Sequence, residues 1–321
     1  MLSANPNTAL PPVIFLMGPT ASGKTDVAVA LTEKLPCDII SVDSTLVYRG
    51  MDIGSAKPDA TTLSLAPHRL ISFLDPSTPY SAADFRKDAL NEMAAITSAG
   101  RIPLLVGGTM LYFKVLLEGI ADLPPADPAI RERLSAEAEQ SGWPAMHARL
   151  ASVDPVTAAR LHPNHSQRIL RALEVHALTG KPLSWLQSQS SNTLFPYNPA
   201  QIALIPTDRE ILHRRIEQRF DRMLAEGFID EVRLLHQRGD LSPDLPALRA
   251  VGYRQVWDFL EGRLDFGQMR DNGIAATRQL AKRQLTWLRS WADLLRIPLT
   301  DSANPEKITE EALKTLAHAG I

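Results

Sequence analysis

Gly18-Pro19-Thr20-Ala21-Ser22-Gly23-Lys24-Thr25 matches the spacing G-x-x-x-x-G-K-[ST] in full. Residues of these types in this order are suited to holding phosphate. The glycines let successive backbone N–H groups converge on phosphate oxygens, Lys24 adds a point charge, and the Thr25 hydroxyl is a ligand for Mg²⁺. The apolar run Val13-Ile14-Phe15-Leu16-Met17 comes just before, and a helical pattern over Asp26 to Leu35 follows. This is the strand–loop–helix setting the loop requires, with the positive end of the helix dipole facing the anion. The loop is therefore assigned to a diphosphate or triphosphate. It does not say whether the bound molecule is a nucleotide.

Two further apolar runs end in suggestive residues. Asp38-Ile39-Ile40-Ser41-Val42 runs into Asp43-Ser44, and Ile102-Pro103-Leu104-Leu105-Val106 runs into Gly107-Gly108-Thr109. Ligands of open parallel sheets bind beyond the carboxyl ends of the strands, so all three ends should line one crevice. An acid there, beside a phosphate site, has two available roles, Mg²⁺ coordination or proton abstraction. Asp43 is the candidate. The third run lacks the acid with which nucleotide-hydrolysing proteins of this type hold Mg²⁺. That argues against a motor or a switch GTPase and leaves a group-transfer enzyme with a modified phosphate site.

The elements that must position these groups alternate strand and helix through the first part of the chain. Ser81 to Ala99 reads as a helix with Ser81 at its N-cap and Asp84 three residues on, and Met110 to Leu117 as another. Such alternation predicts an α/β fold, a parallel sheet of the P-loop NTPase kind with helices on both faces. Leu123-Pro124-Pro125-Ala126-Asp127-Pro128 reads as a linker, and residues 129–189 show helical patterns and no strand, punctuated at Asp154-Pro155 and His162-Pro163. The expected organisation is a first core segment over 1–124, an all-helical insertion over 125–199, and a return to the core over 200–321. Within this, 188–199 reads as a loop, Gln201 to Ile205 as a strand rejoining the sheet, and Asp208 to Glu226, Phe228 to Gln237, Ala250 to Glu261 and Phe266 to Ala292 as helices.

Bulk properties set the frame. A chain of 321 residues can form two domains, and 45% hydrophobic with 22% charged residues is ordinary for a globular protein. The one cysteine, Cys37, excludes an internal disulfide framework and a Cys-based zinc module, and its place before a strand reads as core. Met1 to Leu10 has no basic segment followed by an apolar core, and no run reaches membrane-spanning length, so cytoplasmic residence is expected. The net charge of −2 counts weakly against a nucleic-acid partner. Its distribution says more. Between Asp271 and Trp291 the positive residues are Arg278, Lys282, Arg283 and Arg289, against the single acid Asp271. Arg278, Lys282 and Arg289 fall on one helical face. Charge alone favours a solvated face over a phosphate-contacting stripe.

Motifs recur in a fixed order along nearly the whole chain, from Val13 to Trp291. After the phosphate loop come Ser41-Val42-Asp43-Ser44 with Val47-Tyr48, Met51-Asp52-Ile53-Gly54-Ser55-Ala56-Lys57-Pro58, Pro67-His68, Ser81-Ala82-Ala83-Asp84-Phe85 and Val106-Gly107-Gly108-Thr109-Met110-Leu111-Tyr112. Gln167-Arg168, Arg171-Ala172-Leu173-Glu174-Val175, Val251-Gly252-Tyr253-Arg254 and Thr277-Arg278-Gln279-Leu280-Ala281-Lys282-Arg283-Gln284 follow. In these the chain closely resembles the bacterial tRNA dimethylallyltransferases, also called tRNA isopentenyltransferases. The lone cysteine agrees with a bacterial-type protein that lacks a zinc-finger extension.

The resemblance implies transfer of a dimethylallyl group from dimethylallyl diphosphate to N6 of adenosine 37, in tRNAs reading codons that begin with U. It implies Mg²⁺, with Thr25 as its protein ligand, and the anticodon stem-loop as partner to a monomer. The chemistry fits the residues. The phosphate loop can cradle a departing diphosphate, and Asp43 can orient the weakly nucleophilic amine and take its proton. Thr109 is the second catalytic candidate, as a hydrogen-bonding group from the third strand end. Arg219 is either a further diphosphate ligand or a surface helix arginine. The target base must be extruded from a stacked loop. For tRNA contact the resemblance points to Asp43, Ser44, Thr45, Leu46 and Thr109, and to Arg131, Gln167, Arg168, Ile169, Leu170 and Arg171 in the insertion. Arg249, Ala250, Val251, Gly252, Tyr253 and Arg254 follow, then Arg278, Lys282 and Arg283, which turns the basic stripe into a phosphate-contacting face.

Other conspicuous residues are read as structural. His162 and His165 flank Pro163 with no third metal ligand near, His68 follows Pro67, and Trp257, Trp287 and Trp291 are packing residues. Two other functions share parts of the pattern. A small-molecule or nucleotide kinase would use the loop, the acid and a helical lid. A nucleotide-switched RNA-binding module would bind RNA without a covalent product. The missing acid after Val106 disfavours both.

Overall fold

The structure, a computed structural model, describes residues 10–189, 194–300, 304–318 and 320–321. Residues 190–193 of the loop expected over 188–199, and most of the N-terminal segment read for a leader, lie outside the described residues.

The chain forms two compact units, Leu116–Phe195 and the remainder. The larger unit is built on the apolar runs. β1 (Pro12–Met17) leads through the phosphate loop into α1 (Lys24–Lys34). Next come β2 (Cys37–Val42), the short α2 (Ala60–Leu65), the two-residue β3 (His68–Arg69), α3 (Ala82–Ser98), β4 (Ile102–Gly107) and α4 (Met110–Glu118). Val13 to Met17 and Ile39 to Val42 are buried throughout, as strands covered on both faces must be.

Five helices follow: α5 (Pro128–Ser141), α6 (Trp143–Val153), α7 (Pro155–Arg160), α8 (Ser166–Thr179) and α9 (Leu183–Ser188). The chain returns as β5 (Asn198–Pro206), α10 (Arg209–Ala225), α11 (Phe228–Gln237), α12 (Tyr253–Leu260), α13 (Phe266–Arg289), β6 (Leu295–Leu299) and α14 (Pro305–His318). Strand order is β3-β2-β4-β1-β5-β6, and every pairing is parallel.

Register positions the site. Met17 and Val42 both stand opposite Gly107. The three strands therefore end in one row, and Gly18, Asp43 and Gly108 leave the sheet side by side. A Cβ at Gly107 would lie 2.0 Å from the Val42 carbonyl oxygen, so no larger residue fits that row.

One face of the sheet packs on α1 and α14 through Val27, Leu31, Ile308, Ala312 and Leu316. A second core joins α10 to α13 with Val47, Tyr48 and Met51. The expected helix start at Ser81 is a full capping box: the Ser81 hydroxyl accepts from the Asp84 N–H, and Asp84 accepts from the Ser81 N–H.

β5 begins at Asn198 rather than Gln201, because its first residues pair with β1 from Pro12 on. β3, β6, α2 and α14 were not anticipated. β3 has two residues and β6 carries Pro298, so neither shows a strand pattern. α12 starts at Tyr253 rather than Ala250, where the Gly252 N–H is taken by the Gln255 side chain. The second compact unit starts at Leu116, inside α4, which ends at Glu118 ahead of the expected linker.

That helical unit has its own core of Leu134, Met146, Leu150, Ile169, Leu173 and Val175. Beside it lies Glu174, fully buried. Its carboxylate accepts two bonds from Arg131 at 2.8 and 3.1 Å, one from Arg171 at 2.7 Å and one from the Asp127 N–H at 2.9 Å. Burial alone would push this carboxyl up. The arginines and the N–H outweigh it and hold the group below the usual carboxylate range. Removing it takes the acceptor from two partly exposed guanidinium groups and from the Asp127 N–H. Glu174→Ala is expected to lower unfolding stability by about 2 kcal/mol. Urea denaturation measures this, and a loss near zero would contradict the assigned role.

Candidate active site

The row of strand ends opens into a cavity in the larger unit. The phosphate loop contributes Thr20, Ala21, Lys24 and Thr25, the end of β2 contributes Ser41, Asp43, Thr45 and Leu46, and the end of β4 contributes Val106, Gly107 and Gly108. From α10 come Ile216, Arg219, Phe220 and Met223, spaced i, i+3, i+4 and i+7 and so presenting one helix face. One helix thus brings a guanidinium and an apolar wall into the same space.

The loop is tightly wound. Ala21 sits at φ 62°, a left-handed conformation unusual for a residue with a Cβ. Gly18 is packed so closely that a Cβ would meet the Ser22 hydroxyl at 2.9 Å. The Lys24 ammonium donates to the Pro19 carbonyl at 2.7 Å and lies 3.4 Å from the Ser22 hydroxyl. Burial and then the nearby Arg219 charge push the Lys24 ammonium down to about 7, with Asp43 acting in the opposite direction. Arg219 is likewise lowered, first by burial, and donates to the Ser55 carbonyl at 3.4 Å.

The turns that follow β2 and β4 are tied to each other. The Thr109 hydroxyl accepts from the Ser44 N–H at 3.2 Å. Asp43 Oδ1 accepts from the N–H groups of Thr45 at 2.8 Å and Leu46 at 3.3 Å, which fixes the turn after β2. Asp43 is the only carboxylate among the described residues lining the cavity. The Ser41 hydroxyl also lines it, buried and without a hydrogen-bond partner.

One wall depends on residues that the sequence reading passed over. The backbone N–H groups of Asp52, Ile53 and Gly54 all donate to the Glu231 carboxylate, at 2.7, 2.7 and 3.1 Å. This turns Ser55, Ala56 and Pro58 to the cavity. A Cβ on Gly54 would fall 2.0 Å from the Phe228 ring, so the loop lies flat on that ring. Met51 to Pro58 stood in the sequence only as a motif of the resemblance, and nothing marked Glu231 as its anchor.

The residues expected to touch RNA divide by exposure. Ser44, Arg249, Arg254, Lys282 and Arg283 are exposed, as are Gln167 and Arg168 in the first turn of α8. Ala250 and Val251 line the cavity. Ile169, Leu170 and Tyr253 are buried, so their side chains are core rather than surface. The Tyr253 hydroxyl donates to Glu231 at 2.6 Å. Arg131 and Arg171 already hold Glu174, and Arg278 donates to Glu217 at 3.0 Å.

Trp257 is core, and the Trp291 N–H donates to Gln201 at 2.7 Å. Trp287 carries the Lys114 ammonium 5.7 Å above its ring. His68 does more than was read from the sequence. It belongs to β3 and also lines the cavity. Among the described residues no cluster of three or more His, Cys, Asp or Glu could hold a metal ion.

A phosphate loop feeding a cavity with one acid, one arginine and an apolar wall defines a P-loop-type α/β group-transfer enzyme. Comparison narrows this. The chain belongs to the IPP transferase family, whose model matches residues 46–291, and an isopentenyl transferase model matches residues 11–71. Among solved structures it is similar to the full-length tRNA isopentenylpyrophosphate transferase of Bacillus halodurans. Identity is 37% over 96% of this chain and 97% of that one, with a TM-score of 0.69. The tRNA delta(2)-isopentenylpyrophosphate transferase of Staphylococcus epidermidis is 30% identical over 96% and 99%, with a TM-score of 0.68. A eukaryotic dimethylallyltransferase acting on tRNA shares the fold, with 23% identity, a TM-score of 0.79, and 96% of this chain and 79% of that one covered.

The low Lys24 value has a measurable consequence. With its ammonium near 7, the free site is mostly neutral at Lys24 at about pH 8 and mostly charged at about pH 6. A bound diphosphate favours the charged form. Binding of inorganic pyrophosphate should therefore take up more protons at about pH 8 than at about pH 6. Pyrophosphate brings its own ionisation to both proteins, so Lys24→Arg, charged at both pH values, is the reference, and the uptake of wild type minus variant should be larger at about pH 8. Calorimetry in buffers of different ionisation enthalpy checks this, and an equal wild-type-minus-variant uptake at both pH values would contradict it.

Proposed function

We propose that this protein transfers a dimethylallyl group from dimethylallyl diphosphate to N6 of adenosine 37 in tRNAs reading codons that begin with U. The observation that carries the reading is the convergence of the phosphate loop, Arg219 and Asp43 on one cavity that also has an apolar wall. Family membership supplies the reaction class.

In this reading the diphosphate lies in the phosphate loop, held by backbone N–H groups, Lys24 and Arg219. The dimethylallyl tail lies against Ile216, Phe220 and Met223. The amine nitrogen forms a bond to C1 of the donor as the C1–O bond breaks and diphosphate leaves with the electron pair. Asp43 takes the proton from nitrogen. Positive charge develops on the allylic carbon and negative charge on the leaving oxygen, so a preorganised cationic loop lowers the barrier most. Thr109, tied to the Ser44 N–H, keeps the acid's turn against the β4 end.

Mg²⁺ fits the donors present. The Thr25 hydroxyl and the unpartnered Ser41 hydroxyl are hard oxygen ligands on the same cavity. The absence of a carboxylate cage among the described residues matches an ion held mainly by substrate phosphates and water. The ion would neutralise diphosphate charge.

The anticodon stem-loop is read by the exposed Arg249, Arg254, Lys282 and Arg283, and in the helical unit by Gln167 and Arg168. The flipped adenosine enters beside Ala250 and Val251. No helix among the described residues is long and apolar enough to cross a membrane. We place the enzyme in the cytoplasm as a monomer.

The test is incubation with Mg²⁺, dimethylallyl diphosphate and an unmodified tRNA carrying adenosines at 36–38, followed by mass spectrometry of the digested RNA. The expected product is one added prenyl mass on adenosine 37, absent when that base is guanosine. An unmodified tRNA, with folded protein that phosphorylates a small acceptor from ATP instead, would replace this reading with a kinase. Asp43→Asn is the informative variant, because its amide oxygen can still accept from Thr45 and Leu46. It should lower kcat by about 10²-fold or more while tRNA affinity stays within a few-fold. Near-normal turnover would remove Asp43 as the base.

A further inference from the structure

We infer that Gln284 is a positioning residue that locks the phosphate loop to the β4 end before any anion binds. Its side chain is buried at the cavity edge and makes two bonds across the sheet. The Thr20 N–H, inside the phosphate loop, donates to Gln284 Oε1 at 2.8 Å. Gln284 Nε2 donates to the Gly108 carbonyl at 2.9 Å. One amide thus ties the loop after β1 to the Gly107-Gly108-Thr109 ending of β4, next to the residue that holds Ser44.

Three features show that the position is built for this contact. A Cβ at Gly108 would fall 2.4 Å from Gln284 Nε2, so only glycine leaves room for the amide. The bond falls at Thr20, immediately before Ala21 in its left-handed conformation. A backbone in such a state persists only where its surroundings fix it. Third, the Thr20 N–H is engaged from α13, a helix whose exposed side carries Lys282 and Arg283. Gln284 touches neither phosphate nor base in the reading above. It acts through the loop, and its amide is required because one end accepts while the other donates.

Glutamate provides a discriminating substitution. When protonated it reproduces the amide, accepting from Thr20 and donating to Gly108. When ionised it sets a carboxylate oxygen against the Gly108 carbonyl. The charged or titratable side chains sharing the cavity are Lys24, Asp43, His68 and Arg219, and both proteins carry them. The ratio of variant to wild-type activity therefore reports what the carboxyl at position 284 adds.

The experiment measures inorganic pyrophosphate affinity with Mg²⁺, steady-state prenyl transfer, and thermal stability on the full chain. Gln284→Ala is expected to weaken pyrophosphate binding and raise KM for dimethylallyl diphosphate about tenfold. Its tRNA affinity should stay within twofold. Gln284→Glu is expected to show an activity ratio to wild type that climbs as pH falls from about 8 to about 6. The transfer assay rests on the prenyl-donor reading, whereas the pyrophosphate titration does not. A wild type that binds pyrophosphate but transfers nothing therefore counts against that reading alone. Unchanged pyrophosphate affinity in Gln284→Ala overturns the inference. If Gln284→Ala does not fold, Gln284→Glu decides, and a pH-independent ratio there overturns the inference too.

Discussion

The site depends on the parallel pairing of β1, β4 and β2 in a single register. Met17, Gly107 and Val42 end their strands in one row. Adjacent strands lie about 4.8 Å apart, so the first residue of the phosphate loop and Asp43 emerge about 10 Å from each other, on either side of β4. That separation suits a diphosphate at one end and a nucleophile with its base at the other. Gly107 makes the row possible, since a side chain there would collide with the Val42 carbonyl. A slip of one residue in β2 would turn Asp43 from the crevice toward the opposite face.

Charge explains the division of labour. The β4 end, next to β1, carries Gly-Gly-Thr where an acid would hold a metal in a nucleotide hydrolase. With Asp43 as the cavity's only acid among the described residues, Lys24 and Arg219 crowd one another in the empty site. The crowding costs stability in the free protein. Asp43 offsets only part of this, and an anionic leaving group relieves the rest of what burial and like charge create. A partly compensated cationic pocket is suited to a departing diphosphate. In a γ-phosphate transferase the same site would lack the carboxylate that fixes the metal.

Much of this was legible in the sequence because it was local. The phosphate loop with its flanking strand and helix, the buried strands, the Ser81 cap and the acid after β2 are each written in consecutive residues. The positions that escaped are long-range. Glu231 holds a loop nearly two hundred residues earlier in the chain, and Gln284 reaches Thr20 across 264 positions. Glu231 lies in none of the ordered motifs, and Gln284 closes the Thr277–Gln284 motif, where its neighbours' charges drew the reading to RNA. Tyr253, Ile169 and Leu170 stand inside motifs read as RNA-contacting, yet their burial makes them supports for exposed neighbours. β6 and α14 escaped because a proline-containing edge strand and a C-terminal helix carry weak signals. The arginines needed their partners to be understood. Arg131 and Arg171 look like phosphate ligands until Glu174 is seen beneath them.

The central claim is that this phosphate loop receives a leaving diphosphate. The most direct measurement is phosphorus NMR of one mixture holding the protein, Mg²⁺, unmodified tRNA, ATP and dimethylallyl diphosphate. The account predicts that inorganic pyrophosphate appears in step with modified tRNA while the ATP signals remain. Loss of the ATP γ-phosphate signal, with dimethylallyl diphosphate intact, would contradict it.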